Sequence, residues 1–154
     1  MIYSRAAEYA IRAFVDLAER EQGEYSLVKD IAERTGAPMH FLSKILQQLT
    51  RRGWVRSNKG RTGGFRLESP AADINLLQIV EAIDGTEDYK RCISGFPECN
   101  DQMPCGMHDS WKRLRSAIMG YLEQTSIADL AQAAVVKRRN EKSRRSRRAA
   151  AKRN

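Results

Sequence analysis

Between Ser4 and Arg20 the apolar residues Ala6, Ala7, Tyr9, Ala10, Ala13, Phe14, Leu17 and Ala18 recur at intervals of three and four. That is the stripe of a helix with one buried face. Gly23 ends it. Ser26 is placed to cap a short second helix reaching about Arg34, with Val28, Ile31 and Ala32 inward. Gly36 then supplies a turn, and Pro38 stands at or near the first position of a third helix, where its missing N–H costs nothing. This third helix carries Phe41, Leu42, Ile45, Leu46 and Leu49 at helical spacing and stops at Gly53. The period changes next. Residues 54–58 and 65–67 read as two short strands, joined by Lys59-Gly60-Arg61-Thr62-Gly63-Gly64, whose glycines provide the positive-φ positions a hairpin needs.

Asn75 is placed to cap a fourth helix over 76–84, with Leu76, Ile79, Val80 and Ile83 on one face and Gly85 as its stop. Residues 86–108 have no periodicity. A longer fifth helix is predicted from about Asp109 to Gln124, with Trp111, Leu114, Ile118, Tyr121 and Leu122 along one face. Ser126 followed by Asp129 has the spacing of a capping box that opens a final short helix ending near Val136. The remainder, 137–154, lacks an apolar stripe and is expected to be disordered. The pattern therefore predicts a mainly α protein with a winged helix-turn-helix: a winged unit over 1–67, a cysteine-containing loop and long helix over 68–136, and a basic tail over 137–154.

Charge sharpens this picture. The chain has 154 residues and a net charge of +8, carried unevenly. Residues 29–66 hold nine basic groups against Asp30 and Glu33, and residues 137–154 hold ten against Glu141, while the rest is net acidic. One basic segment and one basic tail on an otherwise acidic body point to a polyanionic partner. No apolar run approaches the roughly 20 residues needed to cross a bilayer, and Ser4, Arg5, Glu8 and Arg12 interrupt the start as no signal peptide would. A cytoplasmic location with no membrane partner is expected.

The third helix has the two faces a DNA-reading helix needs. Leu42, Ile45, Leu46 and Leu49 dock it on its own domain, while Met39, His40, Ser43, Lys44 and Gln47 face outward toward base edges. Arg51 and Arg52 near its end are placed for phosphates. Lys59, Gly60 and Arg61 occupy a hairpin tip that can approach a backbone or minor groove. There is no glycine-rich nucleotide loop and no catalytic carboxylate pair, so neither an enzyme nor a small-molecule substrate is expected.

Cys92, Cys99, Cys105 and His108 give the spacing C-x6-C-x5-C-x2-H, with all three cysteines inside 14 residues. Soft thiolates with an imidazole suit an iron–sulfur cluster or zinc. Gly95, Pro97, Pro104 and Gly106 keep the loop irregular, so its side chains are free to converge. Intervals wider than C-x2-C knuckles suit the larger footprint of a cluster, but spacing alone leaves a structural zinc or a bare thiol switch open.

Taken in order, these residues resemble the IscR/NsrR-type (Rrf family) bacterial winged-helix transcription regulators, whose members sense redox state, nitric oxide or iron–sulfur supply. The resemblance covers nearly all of residues 1–136. It runs through Tyr9-Ala10-Ile11-Arg12-Ala13, Asp30-Ile31-Ala32, Phe41-Leu42-Ser43-Lys44-Ile45-Leu46 and the wing from Lys59 to Leu67. It continues through Ile79-Val80-Glu81-Ala82-Ile83-Asp84-Gly85, the cysteine loop and Thr125-Ser126-Ile127-Ala128-Asp129-Leu130. The resemblance implies a homodimer whose long helix crosses its twin, each wing reading half of a pseudo-palindromic double-stranded operator. It implies Cys92, Cys99 and Cys105 as ligands of an iron–sulfur cluster, 2Fe–2S ahead of 4Fe–4S. His108 matches the fourth ligand of the IscR-like branch. In the nitric-oxide-sensing branch an acidic residue on the partner's first helix serves instead, and Glu8 stands near that position as Glu rather than Asp. Both remain candidates. Two departures stand out: six residues rather than five separate Cys92 from Cys99, and the basic tail has no counterpart. Such a tail binds phosphates with a steep salt dependence. The expected mechanism is a cluster that orders residues 86–108, sets the spacing of the two recognition helices, and alters operator affinity when lost.

Overall fold

The stripe of the first helix, α1 (Arg5–Ala18), buries Ala7, Ala10, Ala13 and Phe14 completely and Ile11 and Leu17 almost so. Five other elements pack on this helix: α2 (Val28–Thr35), α3 (Met39–Thr50), β2 (Gly64–Leu67), α4 (Leu76–Asp84) and α7 (Ile127–Ala151). The computed structural model describes residues 2–60 and 63–151, with side chains through residue 144. Ser4 caps α1 by accepting from the Ala7 N–H at 3.2 Å, and its own N–H donates to Asp84 Oδ2 at 2.8 Å. The start of α1 is thereby fastened to the end of α4.

The helix-turn-helix is α2, a turn and α3. Gly36 closes α2 with φ +69°, a conformation costly for any other residue, and Pro38 precedes α3 as its cap. Ile31, Leu42, Ile45, Leu46 and Leu49 all turn into the core beneath it. Gln48, also on α3, donates to the Ala82 carbonyl of α4 at 2.8 Å and so ties the recognition helix to the next layer.

The wing is the antiparallel pair β1 (Val55–Asn58) and β2, with Val55 opposite Leu67 and Asn58 opposite Gly64. Ser26 does not cap α2, as its position predicts; Leu27 holds that place without a side-chain bond. Ser26 exchanges two backbone hydrogen bonds with Phe65 instead, at 2.9 and 2.8 Å, and acts as a third strand in miniature. Strand pairing satisfies its backbone polar groups, and its hydroxyl accepts from Arg34 at 3.3 Å. The glycines of the tip answer to this packing. A Cβ on Gly64, whose φ is +127°, would lie 2.2 Å from the Ser26 carbonyl oxygen, and one on Gly63 would lie 2.3 Å from that of Asn58. Gly64→Ala is therefore expected to cost at least about 1–3 kcal/mol from backbone strain, before the displacement of Ser26 is added. Thermal unfolding checks this, with the exposed and uncrowded Ser57→Ala as the neutral control.

Asn75 and Gln78 form a reciprocal capping box at the start of α4, at 2.9 and 2.8 Å. Leu76, Ile79 and Val80 are buried along its face and Gly85 ends it. Within the stretch that lacks periodicity, one helical turn forms, α5 (Glu87–Lys90). The long helix α6 (His108–Gln124) buries only His108 and Leu122. Leu114 and Tyr121, which the pattern places on its inward face, are each more than half exposed. Ser126 and Asp129 form the predicted capping box of α7.

The basic segment departs from expectation. A final helix ending near Val136 and a disordered tail are predicted; α7 instead continues to Ala151. The absence of an apolar stripe removes a reason to pack, not a reason to be helical. Residues 137–151 contain neither glycine nor proline and are rich in Lys, Arg and Ala, all good helix formers.

Candidate DNA interface and cysteine site

Leu42, Ile45, Leu46 and Leu49 hold α3 against the core, so its other face is free. Met39, His40, Lys44 and Gln47 are exposed on it and Ser43 is half-buried. Phe41, expected inward, is 42% exposed and packs edge-on against Tyr9, with ring centroids 6.0 Å apart. Arg51 and Arg52 are exposed where α3 ends, and Lys59 and Gly60 are exposed at the wing tip. Gly60 has φ +107° and nothing within 4 Å of a notional Cβ, so another molecule can approach its backbone closely. Arg61 lies outside the described residues.

What fixes this interface rigidly is an interaction that sequence pattern does not disclose. Asp16 on α1 is buried, and it receives both arms of Arg34 from α2 at 2.6 and 2.7 Å. The fork geometry gives charge-assisted bonds with strict orientation. The Asp16 hydrogen bond holds the Arg34 guanidinium above its ordinary pKa. Because Arg34 also reaches Ser26, one cation orients α1, the helix-turn-helix and the base of the wing.

The cysteine site is built by the irregular chain between α5 and α6 and by the first turn of α6. Of the predicted ligands, one pair is in contact: Cys99 Sγ stands 3.6 Å from His108 Nδ1. Cys92 is buried, and the Cys105 thiol meets the Ser94 hydroxyl at 3.2 Å. That Ser94 contact is the main reason the Cys105 thiol is drawn below its usual pKa, toward the thiolate form that binds metal. Among the described residues no three Cys, His, Asp or Glu side chains group closely enough to hold one metal ion. The convergence predicted from spacing is thus partial, limited to Cys99 and His108.

His108 is only 5% exposed. Its Nε2 lies 2.7 Å from Asp101 Oδ1, and a carboxylate only accepts, so Nε2 carries the hydrogen. In the neutral ring Nδ1 then keeps its lone pair, on the side of Cys99. Lys112, one turn along α6, donates to both Asp101 oxygens at 2.7 and 2.8 Å. Lys112, and after it His108, hold the Asp101 carboxyl down to about 2. Asp101, Lys112 and Ser94 are supporting residues that the spacing argument missed. Only the helical i,i+4 relation of His108 and Lys112 could have pointed to one of them.

Glu8 lies apart from this loop's hydrogen bonds. It forms an ion pair with Arg12 at 2.5 Å and lines a hollow with Tyr3 and Tyr121. The Tyr3 hydroxyl is pushed up mainly by burial, then by Tyr121 and Glu8. No helix among the described residues is long and apolar enough to cross a membrane.

Comparison with known proteins fits this architecture. The profile of the Rrf2 family, described as iron-dependent transcriptional regulators, matches residues 3–133. A relative from Mycobacterium tuberculosis is 36% identical over 132 residues, spanning 85% of this chain and 81% of its own length. The HTH-type transcriptional regulator IscR of Photobacterium profundum is 32% identical over 122 residues, spanning 79% and 70%. Among solved structures, CymR, the global cysteine regulator of B. subtilis, superposes with a TM-score of 0.70 at 26% identity, covering 84% of this chain and 95% of that one. T. potens IscR superposes with a TM-score of 0.68 at 24% identity, covering 85% and 86%, a likeness of fold. The chain belongs to the Rrf2 family: it is a winged-helix transcriptional regulator, of a family of DNA-binding proteins rather than enzymes.

Proposed function

We propose that the protein is a homodimeric regulator that binds a double-stranded DNA operator and senses redox, nitric oxide or iron–sulfur status through an iron–sulfur cluster on Cys92, Cys99, Cys105 and His108. The observation that carries this reading is the Cys99–His108 contact within a loop that also holds Cys92 and Cys105. A 2Fe–2S cluster accepts histidine in place of some of its cysteines, which the Cys99–His108 pair would suit and which favours it over 4Fe–4S. When bound, such a cluster supplies a redox-active centre that nitric oxide, oxidants or iron loss can dismantle.

This chain's own residues do the rest. Asp101 fixes the His108 ring and its hydrogen, leaving Nδ1 as the nitrogen available for ligation. Burial of His108 keeps that nitrogen from water. Ligation by these four residues would restrain residues 86–108 between α4 and α6, and so the setting of one helix-turn-helix against its twin. The exposed apolar residues of α6, Leu114 and Tyr121, are a self-complementary surface for a two-fold dimer. Glu8 remains the alternative fourth ligand; its engagement with Arg12 makes His108 the better donor.

A second reading has its own observation. The Cys105 thiol, drawn below its usual pKa chiefly by the Ser94 hydroxyl, would serve with Cys92 as a thiol switch with no metal at all. Anaerobic purification followed by visible absorption and iron and sulfide analysis separates the two. Two irons and two sulfides per chain are expected. Zinc alone, or no metal with Cys92 and Cys105 oxidised together, would transfer the sensing to the thiols.

On the DNA side, Arg52→Ala is expected to weaken binding to all sequences alike and to flatten the salt slope by about 1, as loss of one phosphate contact does. Gln47→Ala is expected to cost about 1–3 kcal/mol at one operator position if it reads a base. Salt titrations and single-base operator variants check both.

A further inference from the structure

We propose that the basic extension of α7 is a second DNA-binding element, gripping phosphates that flank the stretch read by α3 and the wing; this rests on the DNA-binding reading above. The family match stops at residue 133, so family membership does not account for the basic residues from Lys137 onward. Three observations together specify the partner.

The first is placement. α7 packs on α1, and Leu130, Ala134, Lys137 and Arg138 share one groove with Ile11, Val15, Glu19, Arg34 and Thr35. Arg138 pairs with the nearly buried carboxylate of Glu19 at 2.7 Å. Arg34 and Thr35 are the last residues of α2, ahead of the turn into α3. The basic run therefore starts against the helix-turn-helix unit, and the 139–151 helix continues for about 20 Å beyond that anchor at 1.5 Å per residue.

The second is the charge pattern. Lys137, Arg138, Arg139 and Arg144 are exposed, and the sequence of 137–154 carries ten basic groups against one acidic. Successive residues of a helix are about 100° apart, so Lys137, Arg138, Arg139 and Arg144 stand on different sides of α7, and the sequence of the run offers no apolar stripe to a protein partner. The third is its internal cost. Arg144 and Arg148 are like charges four residues apart, a spacing that destabilises a free helix. A polyanion relieves that repulsion and releases its own counterions in doing so. The duplex held by α3 is the polyanion within reach.

The test uses the full-length protein with Arg139, Arg144, Arg145, Arg147 and Arg148 each changed to Gln, which keeps helix-forming residues and spares the Arg138 anchor. Circular dichroism and the melting temperature establish that the body is unchanged. Affinity is then measured against salt on a duplex limited to the operator and on one extended by about 10 base pairs at each end. The wild-type protein is expected to bind the extended duplex at least 10-fold more tightly than the variant at low salt, with a log–log slope steeper by about 2–4. The two proteins should differ little on the short duplex. Equal affinities and slopes on the extended duplex, with operator binding intact, would overturn the inference alone. A variant that loses binding only to RNA or to anionic vesicles would overturn it in favour of those partners. Absence of operator binding by both proteins would instead overturn the underlying DNA-binding reading.

Discussion

Serine in place of Cys92, Cys99 or Cys105, one at a time, is expected to leave the anaerobically purified protein colourless while it still folds. Each thiol is one of only four candidate ligands, so removing one would leave the cluster short of a protein ligand. The loss should exceed the roughly 10–100-fold in affinity that results from removing an outer-shell partner. Asp101→Leu supplies that comparison, because it takes away the carboxylate that orients His108 without touching a ligand. The expected order of iron content is wild type, then Asp101→Leu, then the cysteine variants. The core lies elsewhere, around α1, and Cys99 and Cys105 are only half-buried. Melting temperatures of the metal-free proteins should therefore differ little among these variants. Full iron and sulfide content in any one cysteine variant would remove that residue from the ligand set.

The largest effect on stability is expected from Phe14→Ala. Phe14 is fully buried at the centre of α1 and packs edge-on against Trp54 at the start of the wing, with centroids 6.3 Å apart. Its removal opens a cavity where the helix-turn-helix, the wing and α1 meet. Such truncations cost about 3–5 kcal/mol, and a chain of this size should lose on the order of 10 °C in Tm. Iron content measured below the lowered transition should be unaffected, because no side chain of the cysteine loop packs on Phe14 through the contacts described. A loss below about 1 kcal/mol would mean that the core is not organised around α1 as described.

The elements of this fold were legible wherever a local rule dictates the structure. The stripe of α1, the Asn75 cap and Gly85 stop of α4, and the Ser126–Asp129 box of α7 are short-range patterns that the structure repeats. Where a distant partner competes for a residue, local reading failed. Ser26 has the chemistry of a cap, but the backbone of Phe65, 39 positions along the chain, claims it for the wing. Phe41 sits on the helical stripe, yet the six-ångström edge contact with Tyr9 holds it at the surface. The helical state of 137–151 leaves no trace in the burial pattern, since helix propensity alone sustains it. The cysteine cluster was visible from residue types and intervals. That Cys99 would meet His108 was not, because irregular backbone sets where each thiol goes. Asp16 and Asp101 were invisible as partners of Arg34 and His108 for the same reason: nothing in sequence spacing announces a contact made by folding.

The most direct test of the account is the operator affinity of one protein preparation before and after its cluster is removed, at a single fixed salt concentration. DNA selected from a random pool by the wild-type protein supplies the operator. A change of about 5- to 150-fold in either direction is predicted, the range of a coupling of roughly 1–3 kcal/mol between the cysteine loop and the recognition helices. Equal affinities for the two forms would contradict the claim that the cysteine site governs DNA binding.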